Sequence, residues 1–246
     1  SIDDYREDKF CLSVRGRTGI PDPDVLHDIT ENTLHILGRC NNPGDWGGEN
    51  RQGLVFGMVQ SGKTASMINL VAMGIKAGYK LFIVLAGDKS SLRDQTQERF
   101  NSAFDLINGT NKETRIHSPT YKEDFGSTGF GYKGSFLTQK LIQGKQFVTL
   151  IVIKKEANHL KQLLAQNKQL EEFCEFSGND MAETFPTMIL DDEADYASQN
   201  TKPNSKKGSK IWNRLCKLRH EIPRNCYAAY TATPQACLSA DTKCPI

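Results

Sequence analysis

Gly53-Leu-Val-Phe-Gly-Met-Val-Gln-Ser-Gly-Lys-Thr64 passes from an apolar, strand-like tetrad into a glycine-bounded loop, and Ala65-Ser-Met-Ile-Asn-Leu-Val-Ala-Met73 beyond it reads as a helix. Within it, Gly57 to Thr64 fits Gly-x-x-x-x-Gly-Lys-Ser/Thr, a loop whose backbone N–H groups and lysine wrap the phosphates of a nucleotide. A strand that feeds a helix through glycines is an anion site, because the helix start points N–H donors and a positive dipole at the ligand. At average residue usage the four fixed positions arise by accident in roughly one chain in a hundred of this length. A plain glycine turn is therefore the weaker reading.

Downstream, the same strand-then-helix alternation repeats. Lys80 to Ala86 is an almost unbroken apolar run between Gly78 and Gly87, as expected of a strand buried on both faces of a parallel sheet. Ser90 or Ser91 is expected to cap a helix running to about Ile107, with Arg93, Gln95 and Thr96 in its first turns. Phe147 to Ile153 reads as a buried strand and Glu156 to about Phe173 as a helix; Thr187 to Leu190 reads as a short strand, Ile211 to His220 as a helix, and Cys226 to Tyr230 as a last strand. The pattern predicts an α/β fold, a RecA-like phosphate-loop domain whose mostly parallel sheet carries helices on both faces.

That domain is expected over 51–240, with an inserted loop or hairpin at about 108–146 that is polar and rich in glycine and aromatics, notably Phe125 to Gly134. Its rings either stack on nucleic-acid bases or pack on the surface. Residues 1–50 read as an extension, partly helical from about Asp24 to Gly38. Trp46, Arg51 and Gln52, just ahead of the first strand, stand where side chains meet the base of a bound nucleotide, with ordinary packing the stronger reading for Trp46.

Composition narrows the class. The chain has 246 residues and is 38% apolar, enough to build a core. Its longest apolar run, Phe147 to Ile153 with Thr149 inside it, falls far short of the ~20 residues a membrane span needs. The charged start lacks the apolar segment of a signal peptide. Seven scattered cysteines with no Cys-x-x-Cys pair read as reduced thiols, and the five histidines make no zinc spacing with them. A cytoplasmic protein is expected. With a net charge of +2, nucleic-acid contact has to come from local patches rather than bulk charge.

Cleaving a terminal phosphate requires a cation, a ring of N–H donors and a metal to spread the moving charge. Lys63 supplies the cation, and Gly57, Gln60, Ser61, Gly62, Lys63 and Thr64 the phosphate cradle. The Thr64 hydroxyl suits Mg²⁺, whose shell then needs a carboxylate at the end of a neighbouring strand; Asp192 is the candidate. Glu193, one residue on, is placed to orient or deprotonate the attacking water. An acidic run alone is usually a solvated loop, but Asp191-Asp-Glu-Ala-Asp195 follows an apolar strand, at the sheet edge where ligands of open α/β folds bind.

Taken together, Gly57 to Thr64, Asp192-Glu-Ala-Asp195 and Thr231-Ala-Thr233 resemble motifs I, II and III of superfamily 2 helicases. The wider stretches Gly53 to Thr64, Val84-Leu-Ala-Gly87, Leu92-Arg-Asp-Gln-Thr-Gln-Glu-Arg99, Asp191 to Ser198 and Tyr230-Thr-Ala-Thr-Pro234 resemble the Z-one domain family, a bacterial group of helicase-like ATPases that carries an endonuclease label and is associated with restriction and anti-phage defence. The resemblance covers roughly residues 50 to 236.

It implies ATP and Mg²⁺ as ligands, with Lys63, Asp192 and Glu193 catalytic and Thr64 and Asp192 on the metal. Asp195, Thr231 and Thr233 would be a hydrogen-bonded link from the nucleotide to nucleic acid, DNA before RNA. Arg93, Lys154 and Lys155 would touch the nucleic-acid backbone. It also implies a second RecA-like lobe bearing an arginine finger, and a nuclease or defence-system partner. About a dozen residues follow Pro234, so the chain is expected to be half a motor and slow at hydrolysis by itself. No Pro-Asp followed by Glu-x-Lys marks a nuclease site. Two other readings stay open: a phosphate-loop switch acting on a protein partner without nucleic acid, and a non-enzymatic interaction scaffold.

Overall fold

The computed structural model describes residues 2–57, 62–106, 115–120, 147–176, 178–196, 198 and 209–238. Six strands form one sheet: β1 (Gln52–Phe56), β2 (Leu81–Ala86), β3 (Arg115–His117), β4 (Phe147–Lys154), β5 (Thr187–Asp191) and β6 (Asn225–Thr231). Every pairing is parallel, in the order β1-β6-β5-β2-β4-β3.

The apolar runs are continuous because both faces are covered. In β2, Phe82, Val84 and Ala86 join one core while Leu81, Ile83 and Leu85 join the other, the two-residue alternation of a strand with no polar side. The first core is closed by α1 (Lys9–Arg15), α2 (Pro23–Arg39), α3 (Lys63–Ala77) and α4 (Ser90–Ala103); the second by α5 (Ala157–Phe176) and α7 (Lys210–Glu221), with the short α6 (Met181–Thr184) and α8 (Pro234–Leu238) adding Met181 and Cys237. This is an α/β fold of RecA-like type, as the alternation predicts. Among the described residues no helix is long and apolar enough to cross a membrane.

Residues 1–50 are more integral than an extension. Asp8 caps α1 by accepting from the N–H groups of Phe10 and Cys11, and Asp22 caps α2 with Pro23 in its first turn. Phe10, Val14, Leu34 and Leu37 then enter the same core as α3. Trp46 is also core, meeting Tyr79 edge-on at 6.1 Å and donating its indole N–H to Asn50 at 3.0 Å. Two local expectations are corrected. The N-cap of α4 is Lys89 with no side-chain bond, so Ser90 is its first helical residue rather than its cap. Within the expected insertion, Arg115–His117 is an edge strand on β4; residues 108–114 and 121–146 lie outside those described.

Candidate active site

The ends of β1, β6 and β5 meet at the carboxyl edge of the sheet. β1 delivers Gly57 and β5 delivers Asp192 and Glu193, while β6, lying between them, delivers Thr231. The N–H of Gly57 donates to the Thr231 carbonyl at 3.0 Å, and the Thr231 hydroxyl donates to Asp195 at 2.7 Å. The Thr233 hydroxyl donates to the other Asp195 oxygen, and the Thr233 N–H to Thr231 Oγ1 at 2.9 Å. One residue of β6 thus holds the base of the phosphate loop with its backbone and the acidic turn with its side chain. Burial opposes ionisation of Asp195, but the Thr233 and Thr231 hydrogen bonds outweigh it and hold the carboxyl below its ordinary value.

At the start of α3, Gly62 has φ +77°, and a Cβ there would lie 2.7 Å from Ile29 Cδ1. Only glycine meets both demands without strain. Lys63 Nζ donates to the Gly57 carbonyl at 3.3 Å, and Thr64 lines a cavity of about 100 Å³ together with Gln95, Thr96, Arg99, Asp192 and Glu193. Gln60 and Ser61 lie outside the described residues.

In the acidic turn, Glu193 takes φ +52°, one of two non-glycine positive values among the described residues. Such backbones persist where the surroundings over-determine them. Here Ala194 N–H donates to Tyr230 O at 2.9 Å and Glu193 N–H to Asp192 Oδ1 at 3.1 Å. Glu193 also passes so close to Gly87 that a Cβ at position 87 would sit 3.1 Å from Glu193 Oε2. Burial raises the Asp192 carboxyl, the Glu193 carboxylate raises it further, and Lys155 and Lys63 pull it partly back. Asp191, next to it, faces inward and is fully buried.

The three residues expected on a nucleic-acid backbone fare differently. Lys154 remains at the carboxyl end of β4, paired with Glu156 at 2.7 Å. Lys155 is buried and donates to the carbonyls of Asp192, Glu193 (2.7 Å) and Tyr196 (3.0 Å), with Asp191 Oδ1 3.1 Å away as counter-charge. It ties the acidic turn rather than touching a ligand. Arg93 is also buried, donating to Val152 O at 3.1 Å, Gln97 Oε1 at 3.1 Å and the Thr120 carbonyl. The surface role expected of Arg93 and Lys155 is corrected: their donors are spent inside the fold.

Thr64 and Asp192 present hard oxygen donors to one cavity, which fits Mg²⁺. Among the described residues no cluster of three or more His, Cys, Asp or Glu could cage a metal, so the rest of its shell would be water and phosphate, as this ion prefers. A second cavity, about 480 Å³, lies between α2 and β1; it reaches Gly57 and Lys63 and is lined by Arg51 and Gln52 but not by Trp46. No family model and no curated protein matches this chain.

Proposed function

We infer that the chain is the ATP-binding and hydrolysing lobe of a superfamily 2 helicase-like motor of Z-one type, acting on DNA in bacterial restriction or anti-phage defence with a second RecA-like lobe. The observation that supports this best is the single cavity shared by Thr64, Asp192 and Glu193 beside Lys63, at the carboxyl edge of a parallel sheet. Lys63 releases the Gly57 carbonyl and binds phosphate oxygens, Thr64 and Asp192 hold Mg²⁺, and the base and ribose have room in the cavity between α2 and β1. Bound Mg²⁺ neutralises charge on the phosphates. Glu193 orients the attacking water and takes its proton. Asp195, Thr231 and Thr233 carry the change at the loop across β6.

Titration of the chain with a fluorescent ATP analogue and Mg²⁺ tests the site. Lys63→Ala should weaken binding at least tenfold, since hydrogen bonds to charged groups contribute about 1.5–3 kcal/mol; unchanged affinity would sink the reading.

The burial of Arg93 and Lys155 favours keeping a second reading, a nucleotide switch that acts on a protein partner. ATP hydrolysis by a longer chain that includes the second lobe decides between them. Stimulation by DNA that weakens with salt supports the motor, and indifference to DNA supports the switch.

A further inference from the structure

Helix α4 carries two polar stripes with different fates. Arg93, Gln97 and Asn101 recur every four residues and are buried in a network that ties the helix to Val152, Ser118 and Thr120. Gln95 and Thr96, four and three residues before Arg99, turn with it instead to the cavity of Thr64, Asp192 and Glu193. On the third turn, Arg99 is exposed, and its Nη1 donates to Thr64 Oγ1 at 3.1 Å. That bond goes to a neutral hydroxyl although two carboxylates line the same cavity.

Thr64 Oγ1 is the atom a phosphate-loop metal would take. A guanidinium and a divalent cation cannot share it comfortably, since like charges a few ångströms apart repel. Arg99 would therefore leave Thr64 once that oxygen is taken up by a metal-bound nucleotide. The freed group stays within the cavity that it lines with Thr64, Asp192 and Glu193, toward which a terminal phosphate on the loop would project. A guanidinium suits that partner, because its planar fork of donors matches phosphate oxygens.

We propose that Arg99 is a phosphate-binding residue of the nucleotide site, held on the Thr64 hydroxyl without ligand and turned onto the terminal phosphate when a magnesium nucleoside triphosphate occupies the loop. The proposal rests on the nucleotide reading above. It gives this lobe an arginine of its own for the γ-phosphate, and with it selectivity for triphosphate over diphosphate.

Calorimetric titration of the whole chain with Mg-ATP and with Mg-ADP tests this in the parent, Arg99→Ala, Arg99→Lys and Lys63→Ala. Arg99→Ala should weaken ATP roughly ten- to a hundredfold, the worth of a hydrogen bond to a charged group, and leave ADP within about twofold; Arg99→Lys, which keeps the charge but not the fork, should fall between. Lys63→Ala should weaken both nucleotides. Equal losses of ATP and ADP in Arg99→Ala, or no change in either, would overturn the role of Arg99 while the site stands. A parent that binds neither nucleotide would overturn the site and, with it, the role of Arg99. Arg99 is exposed, so an unchanged melting temperature is expected of its variants.

Discussion

Replacing Lys155 by alanine would strand the fully buried Asp191, leaving it the Tyr227 hydroxyl among the described residues, and would leave three carbonyls of the acidic turn without this donor. Removing one member of a buried ion pair typically costs about 3–5 kcal/mol. A loss of that size is expected in urea unfolding, and Asp191→Asn in the same chain should recover part of it, because the two sites are coupled. Loss below 1 kcal/mol would mean that the turn holds itself. Little of this is legible in sequence. Lys154-Lys155-Glu156 reads as a surface triplet, and the groups that meet the Lys155 ammonium lie 36 to 43 residues away along the chain. Arg93 deceives in the same way, since Thr120 and Val152 meet it only through the sheet. By contrast Lys63, Thr64, Asp192 and Glu193 are legible because each is fixed by a neighbour in sequence: a glycine, or the end of an apolar strand.

At the scale of elements, β6 is the strand that makes one site of two motifs. The Thr231 side chain binds Asp195 while its backbone binds Gly57. Thr231→Val keeps the shape and removes the hydroxyl, so Asp195 should rise toward its ordinary value of 3.8. A carboxyl depressed in the folded state adds stability that is present above its unfolded pKa and lost as pH falls through the folded one. The variant should therefore be less stable than the parent near pH 6, by about 1 kcal/mol for a part-buried hydrogen bond, and the gap should close well below pH 3.8. Paired denaturation curves at the two pH values measure it. A gap that persists in acid would assign the loss to packing instead. The elements themselves were mostly readable, because a strand buried on both faces and a helix with one apolar stripe leave different periods in the sequence. The exceptions have physical causes. β3 is a three-residue edge strand, too short to show a period, and α1 is a seven-residue helix of two turns, too short to repeat its apolar stripe.

For the whole molecule, the sheet order determines more than the site's geometry. Sequence predicts parallel strands but not that the first would lie beside the last, because order is settled by how helices share the two faces. β1 has β6 as its one strand neighbour among the described residues, and β6 is the last of the six described strands along the chain. During synthesis at about 5–20 residues per second, β1 leaves the ribosome roughly ten seconds or more before its partner. Until then its apolar residues and unpaired edge stand open, a state that favours capture by chaperones or by another nascent chain. The arrangement also acts as a safeguard. Gly57 finds the Thr231 carbonyl only once the acidic turn has already been built, so a half-made chain has no finished candidate site.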